Sequence, residues 1–150
     1  MDNVEEVETF TAEMMKALQE NKALKVLGLC YGHQLIGRAF KAQLEKKPRF
    51  GNLENVDFES SIKEKFDFLK HLPEGNNLLC EHHEDFVETV PEEFYHLAKS
   101  NSCKVEALVS KSGKILSFQF HPEYFAAYTK SFVLRINSFL KNQIIKYEPT

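Results

Sequence analysis

One cysteine lies between two glycines, in Gly28-Leu29-Cys30-Tyr31-Gly32, directly after a short apolar run. The run from Leu24 to Leu29 predicts a buried strand that leads into a tight turn and a helix. Small neighbours allow the strained turn that lifts a side chain clear of a sheet at such a junction. The helix N-terminus favours thiolate over thiol, which matters because an ordinary cysteine, with a pKa of about 8.5, is a poor nucleophile at neutral pH. The pattern therefore predicts Cys30 as a nucleophile, with the Tyr31 amide donating to a developing oxyanion.

A candidate base and a carboxylate lie two residues apart in Phe120-His121-Pro122-Glu123. The alternation of apolar and polar residues before them predicts a strand that delivers His121 at its end, on the less apolar side, and Pro122 ends this strand. A thiol nucleophile needs a base, and the base needs a group that orients it. The sequence therefore predicts a triad of Cys30, His121 and Glu123.

The elements that must position these residues follow from hydrophobic periodicity and turn signals. Strands that alternate with helices and end in a hairpin predict an α/β fold with an open mixed sheet flanked by helices. The predicted elements are a helix over Asp2–Glu20, a strand over Leu24–Leu29, a helix over His33–Phe40, one or two weak strands and a loop within Gln43–Phe58, a short helical face at Ile62, Phe66 and Leu69, a turn over Leu72–Asn77, strands over Leu78–His82 and Phe94–Lys99, a hairpin that turns at Lys111–Lys114, and a helix over Phe125–Leu140.

Two segments together resemble the class I (triad) glutamine amidotransferases: Gly28-Leu29-Cys30-Tyr31-Gly32-His33-Gln34 and Phe118-Gln119-Phe120-His121-Pro122-Glu123. Between them, His83-Glu84-Asp85-Phe86-Val87 followed by Val90-Pro91 is similar to the family's His-Gly-Asp-x-Val…Leu-Pro segment. The resemblance runs from about Ala23 to Tyr124 with the motifs in the family's order. It implies the flavodoxin-like sheet of that family.

The resemblance also implies the chemistry. Cys30 would form a γ-glutamyl thioester with glutamine or another γ-glutamyl compound, His121 would act as general base and acid, and Glu123 would orient His121. No metal or organic cofactor is needed for this half-reaction. The residues implied to bind the substrate are Gln34, His82, His83, Glu84 and Asp85.

Two departures from the family pattern bear on activity. In the family, the first strands of the sheet and a loop with a second oxyanion donor precede the strained turn that carries the nucleophile. We call this turn, at Cys30, the elbow, and one helix precedes it here. We therefore expect a single partial domain over residues 1–150, without the usual N-terminal strands and with a half-built oxyanion hole. Glu84 replaces a glycine that lies close to the substrate in many members. Three functions stay open: a glutamine amidotransferase, a γ-glutamyl peptidase or hydrolase of the same superfamily, and a catalytically inactive structural subunit.

Composition excludes several other functions. The 150 residues carry 19 basic and 22 acidic side chains, a net charge of −3 with interspersed signs, so nucleic acid is not expected as a partner. No apolar run approaches the length of a membrane helix, and the acidic N-terminus is unlike a signal peptide. Three widely spaced cysteines favour a reducing compartment, and hence the cytoplasm. The expected protein partners are a separate ammonia-accepting synthetase or a larger assembly.

Other polar residues near these motifs have structural interpretations. His33 is predicted to be a structural hydrogen-bonding residue on the elbow helix rather than a second base. Gln34 either packs against its neighbours or contacts the ligand. Cys80, His82 and His83 lack a fourth ligand at a useful spacing, so no metal site is predicted.

Overall fold

A computed structural model describes residues 4–70, 76–120 and 146–147, with residues 48–54, 76–84 and 146–147 described by their backbone alone. The predicted helix over Phe125–Leu140 and most of the predicted turn that begins at Leu72 lie outside the described residues. None of the helices in the described ranges is long and apolar enough to cross a membrane.

Within the described ranges, the helices agree with most of those that hydrophobic periodicity predicts. They are α1 (Val4–Glu20), α2 (Tyr31–Ala39), the short α3 (Ser60–Lys63) and a 3₁₀ turn at Asp67–Leu69. On α1, Met14 is buried, whereas Val4 is 67% exposed although it shares the apolar periodicity. Val4 occupies the first turn of α1, so the periodic stripe extends beyond the part of the helix that meets the core.

The strands form one mixed sheet, as expected. They are β1 (Val26–Leu29), β2 (Leu44–Phe58), β3 (Asn76–Val87), β4 (Phe94–Lys99), β5 (Ala107–Ser110), β6 (Ile115–Phe118) and β7 (Lys146–Tyr147). Among the described residues, the sheet order is β3-β2-β4-β5-β6-β1-β7. β1 runs parallel to β6 and β7, and the other pairings are antiparallel. The architecture is the predicted α/β fold with a sheet flanked by helices.

β2 and β3 differ from the prediction. The segment predicted as one or two weak strands with a loop is a single strand, whose pairing with β3 shifts register between Lys46 and Phe50. Pro48 lies in this irregular stretch, where a residue without an N–H interrupts the ladder least. Asn76 and Asn77, predicted as turn residues, pair with Asp57 and Val56. Pairing with β2 therefore overrides the local turn preference, and β3 is longer than the predicted strand over Leu78–His82.

The middle of the sheet, at β5 and β6, is buried on both faces. Alternate residues of β5 and β6 belong to two apolar clusters, with Leu116 and Phe118 in one and Ile115 in the other, beside Met14 of α1 and Ile36 of α2. All four residues of β6 are buried. The side of β6 predicted to be less apolar is therefore covered as well, because α1 and α2 pack over it.

Parallel pairing brings the ends of β1 and β6 to one edge of the sheet. Leu29, the last residue of β1, is in register with Phe118, the last residue of β6. In open α/β sheets, ligands bind outside the carboxyl ends of the parallel strands. Cys30 directly follows β1 at this edge, and β6 ends here three residues before His121 in the sequence.

Candidate functional site

Cys30 occupies a strained turn between β1 and α2. Its backbone has φ 51° and ψ −100°, a conformation that residues other than glycine rarely adopt. Its amide donates to the carbonyl of Phe118 in β6 at 2.8 Å, and its carbonyl accepts the amide of Gln34 in α2 at 3.2 Å, so the neighbouring strand β6 and the helix α2 both hold it. The side chain is 8% exposed. This is the elbow that the glycine-flanked cysteine predicts.

The elbow requires a glycine at position 28. A Cβ there would lie 2.6 Å from Ile36 Cδ1 and 2.8 Å from the backbone carbon and oxygen of Gly32. The first turn of α2 thus lies against the backbone of β1 with no room for a methyl group. Gly28 lets the helix begin immediately after the strand, which aims the start of α2 at the edge of the sheet.

Tyr31 is the first residue of α2. Amides in the first turn of an α-helix have no acceptor within the helix and face outward from its N-terminus. The hydroxyl of Tyr31 donates to Glu6 Oε1 of α1 at 2.6 Å. This bond joins α1 to the residue whose amide is predicted to stabilise the oxyanion.

His33 has the structural position that the sequence predicts. It is completely buried, with Nδ1 2.7 Å from Ser117 Oγ and Nε2 2.9 Å from the Val105 carbonyl oxygen. A neutral imidazole that accepts at one nitrogen and donates at the other satisfies both partners. The ring therefore fastens α2 to the sheet beneath the elbow.

Gln34 and Asp85, two predicted substrate-binding residues, lie together. Gln34 Nε2 donates to the Asp85 carbonyl oxygen at 3.0 Å, and the Gln34 side chain is 6% exposed. The bond connects the elbow helix to the end of β3. It shows the packing role of Gln34, and its contact with a ligand stays a prediction.

The other predicted site residues are described in part or not at all. His121 and Glu123 lie outside the described residues. The backbones of His82 and His83 belong to β3, in register with Gly51 and Phe50 of β2. Glu84 follows them, opposite the irregular stretch of β2. Within the described part of the chain, no group of three or more His, Cys, Asp or Glu residues could hold a metal ion.

Gln119 belongs to the site although sequence reasoning did not select it. Its side chain is completely buried, and Nε2 lies 3.9 Å from Cys30 Sγ. The alternation of residues in the sequence could have identified Gln119, because this pattern puts it on the same side of the predicted strand as Ser117 and the predicted base His121. That face is the one that α2 covers.

Comparison with known proteins agrees with this geometry. The model of the family described as glutamine amidotransferase class-I matches residues 3–141. A glutamine-hydrolyzing GMP synthase subunit from Methanococcus aeolicus is 36% identical over 106 residues, which cover 69% of this chain and 53% of that protein. The corresponding protein from Methanocaldococcus jannaschii is also 36% identical over 106 residues, with the same coverage. The chain therefore spans about half the length of these curated relatives.

Solved structures share the fold. A candidate GMP synthase subunit from Thermoplasma acidophilum superposes with a TM-score of 0.70 at 24% identity, covering 87% of this chain and 63% of that one. A glutamine amidotransferase from Methylobacillus flagellatus gives a TM-score of 0.67 at 21% identity, covering 89% of this chain and 51% of that one. The elbow at Cys30, the mixed sheet and the family match lead to one conclusion: the chain belongs to the class I glutamine amidotransferase family.

Proposed function

We propose that this chain hydrolyses the side-chain amide of glutamine through a covalent thioester on Cys30. The observation that carries the proposal is the strained elbow, which places the only cysteine of the family motif between a parallel strand and a helix N-terminus. Core packing gives no reason for a non-glycine residue at φ 51°. Backbone strain of this kind clusters at active sites and ligand-binding sites, which favours a functional role for Cys30.

The proposed reaction has two halves. Cys30 Sγ attacks the amide carbon of glutamine, and the Tyr31 amide donates to the oxyanion. His121 takes the thiol proton and gives it to the leaving nitrogen, so the C–N bond breaks and ammonia departs. Water then attacks the γ-glutamyl thioester, His121 accepts its proton and returns it to the sulfur, and glutamate leaves. Glu123 holds the imidazole in the required orientation.

Chain connectivity supports the triad. His121 follows Phe118 by three residues, and the Phe118 carbonyl accepts the Cys30 amide at 2.8 Å. Three residues span at most about 11 Å, a chain length that is compatible with the predicted base meeting Cys30 at this end of the sheet. Neither residue needs to cross the sheet to meet the other.

The contact between Gln34 and Asp85 supports the proposed glutamine pocket. It joins the elbow helix to β3, whose backbone contains His82, His83 and Glu84. The resemblance to the family's segment covers the same stretch of chain, so one hydrogen bond connects the two motifs. We propose that Gln34, together with the segment from His82 to Asp85, holds the substrate.

We further propose that the ammonia passes to a separate synthetase polypeptide, with this chain acting as a single glutaminase domain. The supporting observation is that the curated relatives are subunits of GMP synthase with glutamine-hydrolyzing in their name. A second candidate is a γ-glutamyl peptidase or hydrolase. The specific observation in its favour is Glu84, because a carboxylate in place of glycine fits a substrate other than free glutamine. An inactive structural subunit would have no use for a strained Cys30.

Covalent labelling tests the proposal directly. The purified chain is treated with a diazoketone analogue of glutamine, and the adduct is weighed as intact protein and mapped to a residue. We expect one adduct on Cys30 in the native chain, little in the His121→Ala variant, and the native amount in Cys103→Ser, whose cysteine is buried and is not part of the proposed triad. Equal labelling of all three cysteines, or labelling unaffected by His121→Ala, would overturn the proposal.

A further inference from the structure

Gln119 places a neutral hydrogen-bond donor against the proposed nucleophile. The residue directly follows β6, its side chain is completely buried, and Nε2 lies 3.9 Å from Cys30 Sγ. Sulfur accepts hydrogen bonds at longer distances than oxygen does, and a thiolate accepts them better than a thiol. The amide thus contacts the atom that would attack the substrate.

The need to fill space does not explain an amide at this position. Gln119 Oε1 is buried and has no hydrogen-bond partner within the described ranges. Leaving a buried acceptor unsatisfied destabilises a folded protein. The adjacent residues Phe118 and Phe120 are buried and apolar, and a methionine would occupy nearly the same volume without this cost. The described hydrogen bond from this side chain is the one to Cys30.

The backbone holds Gln119 in place. Its amide donates to the Glu106 carbonyl at 2.7 Å, and the preceding residue, Phe118, accepts the Cys30 amide at 2.8 Å. The segment that carries the donor and the residue that carries the sulfur are therefore joined by a main-chain hydrogen bond. The position of Nε2 relative to Sγ is set by the sheet rather than by a mobile side chain alone.

We propose that Gln119 is a positioning residue that holds and stabilises the Cys30 thiolate through its Nε2–H donor. The proposal deepens the proposed function and rests on Cys30 being the nucleophile. An amide carries no titratable proton, so its donor is present at every pH at which the reaction could run. Donation to the sulfur favours the charged form, and it limits the directions in which the sulfur can point.

The rate of Cys30 alkylation by iodoacetamide, measured from pH 5 to pH 10 and mapped to the residue, tests the proposal. The variant is Gln119→Met, which keeps the length of the side chain and removes the donor, with Gln119→Leu as a second apolar replacement. A hydrogen bond to a charged group typically favours that form about tenfold, so we expect the midpoint of the pH–rate profile to move upward by about one pH unit. At neutral pH the alkylation rate should then fall about tenfold.

Ser117→Ala is the matched control. Ser117 is buried in β6, two residues before Gln119 and on the same side of the chain, and its hydroxyl bonds to His33 rather than to the sulfur. A merely structural effect would appear in both variants as a lower free energy of unfolding in urea, without moving the profile. We expect Ser117→Ala to leave the midpoint where it is.

Each failure has its own signature. If Cys30 in the native chain reacts no faster than Cys80 and Cys103, the proposed function itself fails. If native Cys30 reacts selectively and the profile of Gln119→Met or Gln119→Leu coincides with that of the native chain, only the role of Gln119 is overturned. If one of the two variants does not fold, the profile of the other decides.

Discussion

Replacing Gly28 with alanine would test whether the elbow depends on close contact between β1 and α2. The added Cβ would lie 2.6 Å from Ile36 Cδ1 and 2.8 Å from the carbon and oxygen of Gly32. The end of the isoleucine side chain can rotate away. The backbone of Gly32 cannot, so the first turn of α2 would have to retreat by about 0.6 Å to restore an ordinary carbon contact of 3.4 Å.

Such a retreat has two expected consequences. Overpacking of this kind typically lowers the free energy of unfolding by about 1–3 kcal/mol. A displacement of around 1 Å at a catalytic group can cost about a hundredfold in rate, and α2 carries Tyr31 at its start. We therefore expect Gly28→Ala to lose about 10- to 100-fold in kcat/KM for glutamine hydrolysis, with the loss mostly in kcat because the reacting groups separate.

Gly37→Ala provides the matched control on the same helix. A Cβ at Gly37 would meet Val87 Cγ2 at 3.4 Å and Ala42 Cβ at 3.6 Å, which are ordinary contacts. Alanine in a helix is favoured over glycine by about 0.8–1.0 kcal/mol, so this variant should unfold at the same or a higher urea concentration and keep its activity. Urea unfolding and a coupled ammonia assay measure both quantities. Equal stability and equal activity of Gly28→Ala and the native chain would refute the reasoning about the elbow.

Three further predictions concern the triad, the pocket and the support of the elbow. Glu123→Gln should reduce kcat less than His121→Ala, because it orients the base and does not transfer protons; the reverse order in steady-state assays would show that the roles are misassigned. Glu84→Gly should lower the KM for glutamine if the carboxylate intrudes on the pocket, and an unchanged KM would place that side chain away from the substrate. His33→Ala should lower the free energy of unfolding in urea by about 2–4 kcal/mol, since it empties a buried site and removes the hydrogen bonds to Ser117 and Val105; a loss below about 1 kcal/mol would contradict its structural role.

Elements whose positions depend on nearby residues, such as a proline before a strand or a glycine in a turn, could be predicted from the sequence. β4 has the predicted bounds, Phe94–Lys99, because Pro91 precedes it and polar residues follow it. The hairpin between β5 and β6 turns at the predicted segment, where Gly113 adopts φ 76°. The elbow could be predicted from the two glycines around Cys30, because small residues at a junction between a strand and a helix permit a strained turn. In each case, the information lies within about ten residues.

Features set by distant contacts could not be predicted in this way. The lengths of β2 and β3 depend on each other, because each strand continues for as long as the other supplies hydrogen bonds. Asparagine is common in turns, and only its pairing with Asp57 makes Asn76 part of a strand. In the sequence, Gln119 is one polar residue on a strand, because its importance lies in the distance from Nε2 to Cys30, 89 positions away along the chain.

The strain at Cys30 indicates that the elbow is assembled before any substrate arrives. A non-glycine residue at φ 51° costs of order 1–3 kcal/mol and persists only where its surroundings determine it. Here the Phe118 carbonyl holds the Cys30 amide, the first turn of α2 holds its carbonyl, and the absence of a side chain at Gly28 permits the contact between strand and helix. All of these restraints come from the sheet and α2. Selective alkylation of Cys30 should therefore proceed without glutamine, and a requirement for added glutamine would mean that substrate binding, rather than the fold, builds the elbow.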